Sequence, residues 1–415
     1  MFDQMKLSNW SANVRSQLSL PLRVILWNGQ QFDFSQEPPR VTIRVPNPSA
    51  VRYLLSPSLI SLGSAYVEGA IEVSGRATDM IAIVNALAET SVKPRGAWSR
   101  AVRSIVHTRE KDAEAIRYHY DVSNEFYAAW LDPGMVYSCA YFENGDEDLA
   151  TAQLKKIDHI LAKIDLRPGQ SLLDIGCGWG ALVMRAAERF GARCVGVTLS
   201  ENQARRARER VQRAGLQHLV EIRLQDYRDV DGQFDRITSV GMFEHVGIKH
   251  LPEYFSRVDA LLAPDGVVMN HGITTTDVHS RGTPYGGAEF IDRYVFPHGE
   301  LAHLSTVIRS MQEGGLEVRD VENLRRHYAR TCAIWTDNFE SNAERISQLT
   351  DAKRFRIWHV YLAGCTYAFN HDWISLYQIV CGKAGKEPAA IPWSRRYMYA
   401  PRIGDATSGG LKTSS

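Results

Sequence analysis

Ser171-Leu172-Leu173-Asp174-Ile175-Gly176-Cys177-Gly178-Trp179-Gly180 sets the reading of everything on either side of it. Its apolar run, Leu172 to Ile175, predicts a short buried strand. The spacing of apolar residues from Ala181 to Phe190 predicts a helix directly afterwards. Between the two stand glycines at every second position. Glycine lets the backbone turn sharply and lets a ligand approach the main chain without meeting a Cβ. The exposed amides at the start of the following helix favour a polar or charged group. A nucleotide-type cofactor suits these properties; a bare strand-to-helix turn is the alternative.

Spacing narrows the choice of nucleotide. A dinucleotide fold takes G-x-G-x-x-G, whereas Gly176, Gly178 and Gly180 form G-x-G-x-G. Further along, Arg193 to Leu199 predicts a second strand. After another helix, Val220 to Leu224 predicts a third, which delivers Gln225-Asp226-Tyr227. This order resembles the S-adenosylmethionine-dependent methyltransferase fold, an α/β class with a Rossmann-like sheet. The resemblance implies Asp226 near the adenine and the glycine turn beside the methionine portion.

The chain has 415 residues, enough for two or three domains. Its 48 basic and 47 acidic residues nearly cancel, which argues against a dedicated nucleic-acid binder. Cys139, Cys177, Cys194, Cys332, Cys365 and Cys381 form no C-x-x-C pair and no metal-ligand spacing. Reduced thiols in a cytoplasmic protein are the expected state. Met1-Phe2-Asp3-Gln4-Met5-Lys6 lacks the pattern of a signal peptide. No apolar run approaches the ~20 residues of a spanning helix, so any membrane contact is expected to be peripheral.

Four segments follow from composition: an N-terminal α+β domain over 1–92, a basic linker over 93–115, a methyltransferase-like domain over 116–400, and a disordered tail over 401–415. In the first, Leu22 to Trp27 and Val41 to Val45 have strand chemistry, and Pro48 to Leu55 and Thr78 to Ala88 have helical periodicity. Gly63 to Val73 reads as a hairpin. Nothing there has catalytic spacing, which leaves an interaction or substrate-presenting module, or a purely stabilising one. The linker, with Arg95, Arg100, Arg103, Arg109 and Lys111, would gain about 1 kcal/mol per basic residue at an anionic membrane face. A solvated linker explains the same residues.

Six motifs together carry a narrower resemblance. They are Tyr118-His-Tyr-Asp-Val-Ser-Asn-Glu-Phe-Tyr127, Tyr137-Ser-Cys-Ala-Tyr-Phe142, Leu173-Asp-Ile-Gly-Cys-Gly-Trp-Gly180, Gly196-Val-Thr-Leu-Ser200, Gly241-Met-Phe-Glu-His-Val-Gly247 and His327-Tyr328. Over roughly 116 to 385 the chain resembles the cyclopropane-fatty-acyl-phospholipid synthase family. The N-terminal segment resembles the lipid-associated domain of its full-length bacterial members. The family transfers the methyl of S-adenosylmethionine to a cis alkene in a phospholipid acyl chain, then removes a proton to close a three-membered ring. The resemblance implies cofactor contacts at Tyr137, Ser138, Gly176, Gly178, Thr198, Gln203, Gln225 and Asp226. Asp174, Gly180, Leu199, Ser200 and Tyr227 complete that candidate set. Thr198-Leu199-Ser200 lacks the acid that NAD prefers on its ribose, and this is the family's normal form.

The chemistry makes its own demands. An alkene is a poor nucleophile, so the double bond must be held in line with the sulfonium methyl. The carbocation that follows calls for a dry, aromatic-lined site. Residues 328 to 377 are dense in aromatics, as an acyl-chain tunnel or an ordinary helix core would be. A base is then needed. Glu244 and His271 are expected at the ends of predicted strands, where open α/β sheets build their sites. The resemblance implies a bicarbonate base held by Cys139, Glu244, His271, Ile273 and Tyr328. It also assigns a cysteine matching Cys365, ranked lower because a thiolate so close to a carbocation would be alkylated. Arg205, Arg206, Arg208, Arg210 and Arg213 read as a solvated helix face, or alternatively as a headgroup patch. The expected partners are a phospholipid bilayer at the inner face of the cell membrane, unsaturated acyl chains and a second copy as a homodimer, with no nucleic acid. A methyl-branched or methylenated product, methylation of a soluble small molecule, and a non-catalytic lipid-binding protein are the alternatives.

Overall fold

The computed structural model describes residues 2–91, 122–280, 282–297, 299–385 and 392–399. The basic linker, the motif residues Tyr118 to Asp121 and the tail lie outside them. The chain forms two compact units. The first combines Met1–Leu131, Thr274–Leu304 and Arg325–Ser375, and the second combines Asp132–Ile273, Ser305–Leu324 and Leu376–Ser415.

In the first unit, β1 (Leu22–Leu26), β2 (Gln31–Asp33), β3 (Val41–Val45) and β4 (Glu72–Ser74) form a sheet of order β2-β1-β3-β4. β1 and β3 run parallel and alternate in burial, with Leu22, Val24 and Leu26 facing the same core as Val41, Ile43 and Val45. Leu7 and Val14 of a helix over Phe2–Gln17 join that core. Leu7, Trp10 and Val14 recur at i, i+3 and i+7, so one face of the helix carries its apolar side chains.

The hairpin expected over Gly63 to Val73 does not form. Leu59–Val67 is a helix, capped by the Ser58 hydroxyl on the Ser61 amide and ended by Gly69 at φ +73°. Only the final residues enter a strand, β4. Leu59, Leu62 and Ala65 share the helix's buried face. Gly63 belongs there because a Cβ would lie 3.0 Å from the Phe290 ring. The apolar residues fit a helical period, whereas Gly63 within the helix and Gly69 past its end read as turn signals.

The helices Arg325–Ser341 and Ala352–Asn370 complete this unit. Trp335, Phe339 and Trp358 pack mostly edge-to-face with Phe126 and Trp130, ring centroids 5.4–6.1 Å apart. For these rings the helix-core reading holds. Glu340 clips the N-terminal elements to the pair. Its Oε1 accepts from the Ala77 amide (2.7 Å) and lies 2.9 Å from His359 Nε2, while the Tyr66 hydroxyl lies 3.2 Å from Nδ1 of the same ring.

The second unit is built on a seven-stranded sheet. Its strands are β5 (Ser171–Ile175), β6 (Arg193–Thr198), β7 (Val220–Leu224), β8 (Phe234–Val240), β9 (Leu262–Thr275), β10 (Leu316–Asn323) and β11 (Ile374–Lys383), in the order β10-β11-β9-β8-β5-β6-β7. β7, β6, β5, β8 and β9 are parallel; β10 pairs antiparallel with β11. Leu172, Val183, Ala186 and Ala207 lie in one core that helices Ala181–Phe190 and Glu201–Arg213 share with the sheet. The strand order reverses between β5 and β8. In open α/β sheets a ligand crevice forms at such a point, beyond the carboxyl ends of the strands.

Candidate active site

The glycine turn stands at that reversal. Gly176, Gly178 and Gly180 adopt φ of +81°, +54° and +83°, which residues with a Cβ rarely take. The Gly176 and Cys177 amides both donate to the Val197 carbonyl at 2.9 Å, locking the turn to β6. Gly196 makes room for it, since a Cβ there would lie 2.9 Å from the Cys177 sulfur.

Around the turn, the candidate cofactor residues are ordered by one another. Asp174 is buried and accepts from the Thr238 hydroxyl at 2.7 Å; burial pushes its carboxyl up to about 6. Thr198 donates to Gln203 Oε1 at 2.8 Å. Ser200 caps the next helix by accepting from the Gln203 amide at 3.3 Å. Leu199 is half-buried between them. At the end of β7, Asp226 accepts from the Arg228 amide and guanidinium, and Gln225 donates to the Asp229 carbonyl. Tyr227 packs edge-on against Tyr254 at 5.2 Å.

Tyr137 and Ser138 lie on a loop held by buried polar groups that the sequence did not reveal. Asp132 accepts from the Gly134 and Val136 amides at 2.7 and 2.9 Å. Gln153 donates to the Val136 and Ser138 carbonyls, and Lys156 to the Ser138 hydroxyl. Both come from the helix Leu149–Lys163. Polar residues on one face of an amphipathic helix read as solvent-facing, so no pattern marked them. The arginine helix also differs from expectation. Arg208 donates to the Ile222 carbonyl, and Arg210 Nη1 donates to the Gly134 and Trp179 carbonyls at 2.9 and 2.8 Å. Arg210 is an internal strut, whereas Arg208 stays exposed and only its Nε reaches the backbone.

The two acid–base candidates belong to neighbouring strand connections, Glu244 beyond the end of β8 and His271 within β9. Glu244 lies in a short turn, Phe243–His245, just after β8. Its Oε1 accepts from the Ile273 amide at 2.7 Å, while buried Oε2 has no hydrogen-bond partner. Burial pushes this carboxyl up to about 7. His271 is inside β9, not at its end: the strand continues to Thr275, but pairing with β8 stops at Val240–His271. Nδ1 lies 3.2 Å from Gln378 Nε2, and buried Nε2 is unpartnered. Burial holds the ring well below its usual pKa, so it is neutral. With the Gln378 amide donating to Nδ1, the ring proton is on Nε2.

Gly272 allows this arrangement. A Cβ there would fall 1.8 Å from Cε1 of Phe243, the residue before Glu244. Close packing of that ring on β9 brings the carboxyl to the Ile273 amide. Cys139 is buried in the same unit, its thiol 3.2 Å from the Ala140 carbonyl. Tyr328 and Cys365 belong to the first unit. The Tyr328 ring packs on Phe369 at 4.6 Å, and the Cys365 thiol is pushed up to about 12 by burial. All six cysteines are free.

The strand order and the glycine turn at its reversal define the class, an S-adenosylmethionine-dependent methyltransferase. The family is narrower. Residues 107–379 match the model of the mycolic acid cyclopropane synthetase family, and the chain belongs to it. Residues 10–95 match a domain family of unknown function. The chain is 46% identical over 385 residues to the "Probable fatty acid methyltransferase" of Pseudomonas putida, covering 92% of this chain and 97% of that one. It is 35% identical over 342 residues to the cyclopropane-fatty-acyl-phospholipid synthase of Escherichia coli, covering 81% and 87%. A mycolic acid cyclopropane synthase crystallised with SAH and CTAB superposes with a TM-score of 0.62 at 36% identity, over 65% of this chain and 98% of that one. Among the described residues no helix is long and apolar enough to cross a membrane.

Proposed function

We propose that this methyltransferase converts cis double bonds of phospholipid acyl chains to cyclopropane rings. The observation that carries the reading is a pair of buried atoms without a hydrogen-bond partner, Glu244 Oε2 in the turn after β8 and His271 Nε2 within the adjacent strand β9. The alkene's electron pair forms the new bond to the methyl carbon, and S-adenosylhomocysteine departs. A proton must then leave that methyl so that its C–H electrons close the ring. A neutral imidazole and a carboxyl near pKa 7 offer a dry, weakly nucleophilic setting for the cation.

These two residues also fit a small oxyanion. Nε2–H can donate to it, and Oε2 can accept from its hydroxyl. Bicarbonate bound there would supply a base that is not a side chain. Ile273 supports the site by fixing Glu244, since its amide is already engaged. The Cys139 thiol completes the proposed set within this unit, while Cys365 is a poor candidate with its proton so firmly held. The cofactor assignments made above to the glycine turn, β6 and β7 belong to the same proposal. So do the domain division at 1–92 and 116–400, a peripheral place on the inner face of the cell membrane, and a homodimer.

The similarity to a fatty acid methyltransferase favours a second reading: the same methyl transfer with another fate for the cation, giving a branched or methylenated chain. Lipid mass spectrometry after expression in a host without such enzymes separates them. Gain of CH₂ with ring-type fragmentation supports cyclopropane, and a saturated branch carries two further hydrogens. Unchanged lipids refute both.

A further inference from the structure

Lysine is rarely fully buried without a partner, and Lys156 is only 2% exposed. Its Nζ donates to the Ser138 Oγ at 2.7 Å. Desolvation lowers its pKa to about 8, opposed by the nearby Cys139, Asp132 and Asp174. Neither carboxylate is idle, since Asp132 accepts two backbone amides and Asp174 accepts from Thr238. The Ser138 loop has little freedom. Gln153 holds the Ser138 carbonyl at 2.8 Å, and Arg210 ties Gly134 of the same loop to Trp179 of the glycine turn.

With an ammonium on one lone pair, the Ser138 hydroxyl still has its own proton to give. A donor backed by a buried cation prefers an anionic acceptor. The methionine end of the methyl donor offers one, its α-carboxylate. We propose that Lys156 is a positioning residue that, through the Ser138 hydroxyl, orients the α-carboxylate of S-adenosylmethionine. The proposal rests on the methyltransferase reading. It adds a residue on helix Leu149–Lys163 that neither the glycine turn nor the strand ends would suggest.

The test uses two ligands measured by calorimetry on the full chain. S-adenosylhomocysteine keeps the carboxylate, whereas S-adenosyl-3-thiopropylamine keeps the amine and lacks it. Lys156→Met and Ser138→Ala should each weaken S-adenosylhomocysteine about ten- to hundredfold, the range for a hydrogen bond to a charged group. Both should change the thiopropylamine analogue less than about threefold. Equal losses for both ligands would make Lys156 a mere loop support and overturn the proposal. Undiminished S-adenosylhomocysteine binding would overturn it too. If Lys156→Met does not fold, Lys156→Gln, which keeps a donor for the Ser138 Oγ but removes the charge, takes its place with the same expected and overturning outcomes. Wild-type protein that bound neither ligand would refute the underlying methyltransferase reading instead.

Discussion

Replacing Glu244 by Gln should slow the enzyme and stabilise it at alkaline pH, two effects with one cause. Gln keeps an oxygen for the Ile273 amide, so the turn after β8 retains its anchor. What it removes is a carboxyl pushed from 4.5 to about 7 by burial. An acid whose folded-state pKa lies above its unfolded value destabilises the fold once ionised. The penalty is absent below about pH 4.5, grows through the interval up to about 7 and is constant above it. At about 1.36 kcal/mol per unit the full effect is roughly 3 kcal/mol, most of it developed between pH 5 and pH 8. The new amide proton pair, buried where Oε2 was, costs about 1–3 kcal/mol at every pH. The pH-dependent part of the difference is therefore the diagnostic. Urea unfolding of both proteins from pH 5 to pH 8 should show the variant gaining roughly 2 to 3 kcal/mol on the wild type. Turnover with radiolabelled methyl donor and unsaturated phospholipid vesicles should fall by a factor of about 10² to 10⁴, with donor binding retained. A stability difference flat with pH would refute the elevated titration, and a normal rate would remove Glu244 from the mechanism.

Gly272→Ala puts a methyl group into the Phe243 ring, and overpacking of this kind costs typically 1–3 kcal/mol. Because the ring must withdraw and take Glu244 with it, turnover should drop at least tenfold, by the rule that small misplacements are costly. S-adenosylhomocysteine affinity measured alongside should be unchanged, and a variant as fast as wild type would show that the Phe243 contact does not set the carboxyl's position. Cys365→Ser should leave turnover within about twofold, since a thiol that keeps its proton at neutral pH is no nucleophile; a thousandfold loss in the same vesicle assay would restore a catalytic role.

How far the sequence led depends on what each residue answers to. β7 and the helix Ala181–Phe190 have the bounds expected, and β6 ends one residue early. β7, at the sheet edge, alternates apolar and polar residues over Val220 to Leu224, and the helix carries its own apolar spacing, so local composition suffices. Leu59–Val67 was misread because Gly63 and Gly69 are turn signals by type. In the fold, Gly63 answers to the Phe290 ring, more than two hundred residues away. Arg210 departs from the expectation for the converse reason: five arginines on a helix look like a wet face until the carbonyls that one of them reaches are known.

The proposed active centre shows the same limit at its sharpest. Glu244 and His271 are candidates because strand ends in an α/β sheet are favoured places for chemistry, and both strands are legible in the sequence. Yet His271 lies inside β9, and what qualifies it for the proposed site is that β8 stops pairing there while β9 runs on. That leaves its ring one residue from Gly272 and two from the Ile273 amide. The amide holds Glu244 only because Gly272 admits the Phe243 ring. Each link joins residues that sequence places apart, and none changes hydrophobic period, charge pattern or turn signal. A glycine whose φ lies outside the left-handed range, in the middle of a strand, carries no local mark of its purpose. Its meaning is the space it leaves, and that is defined by another element's side chain.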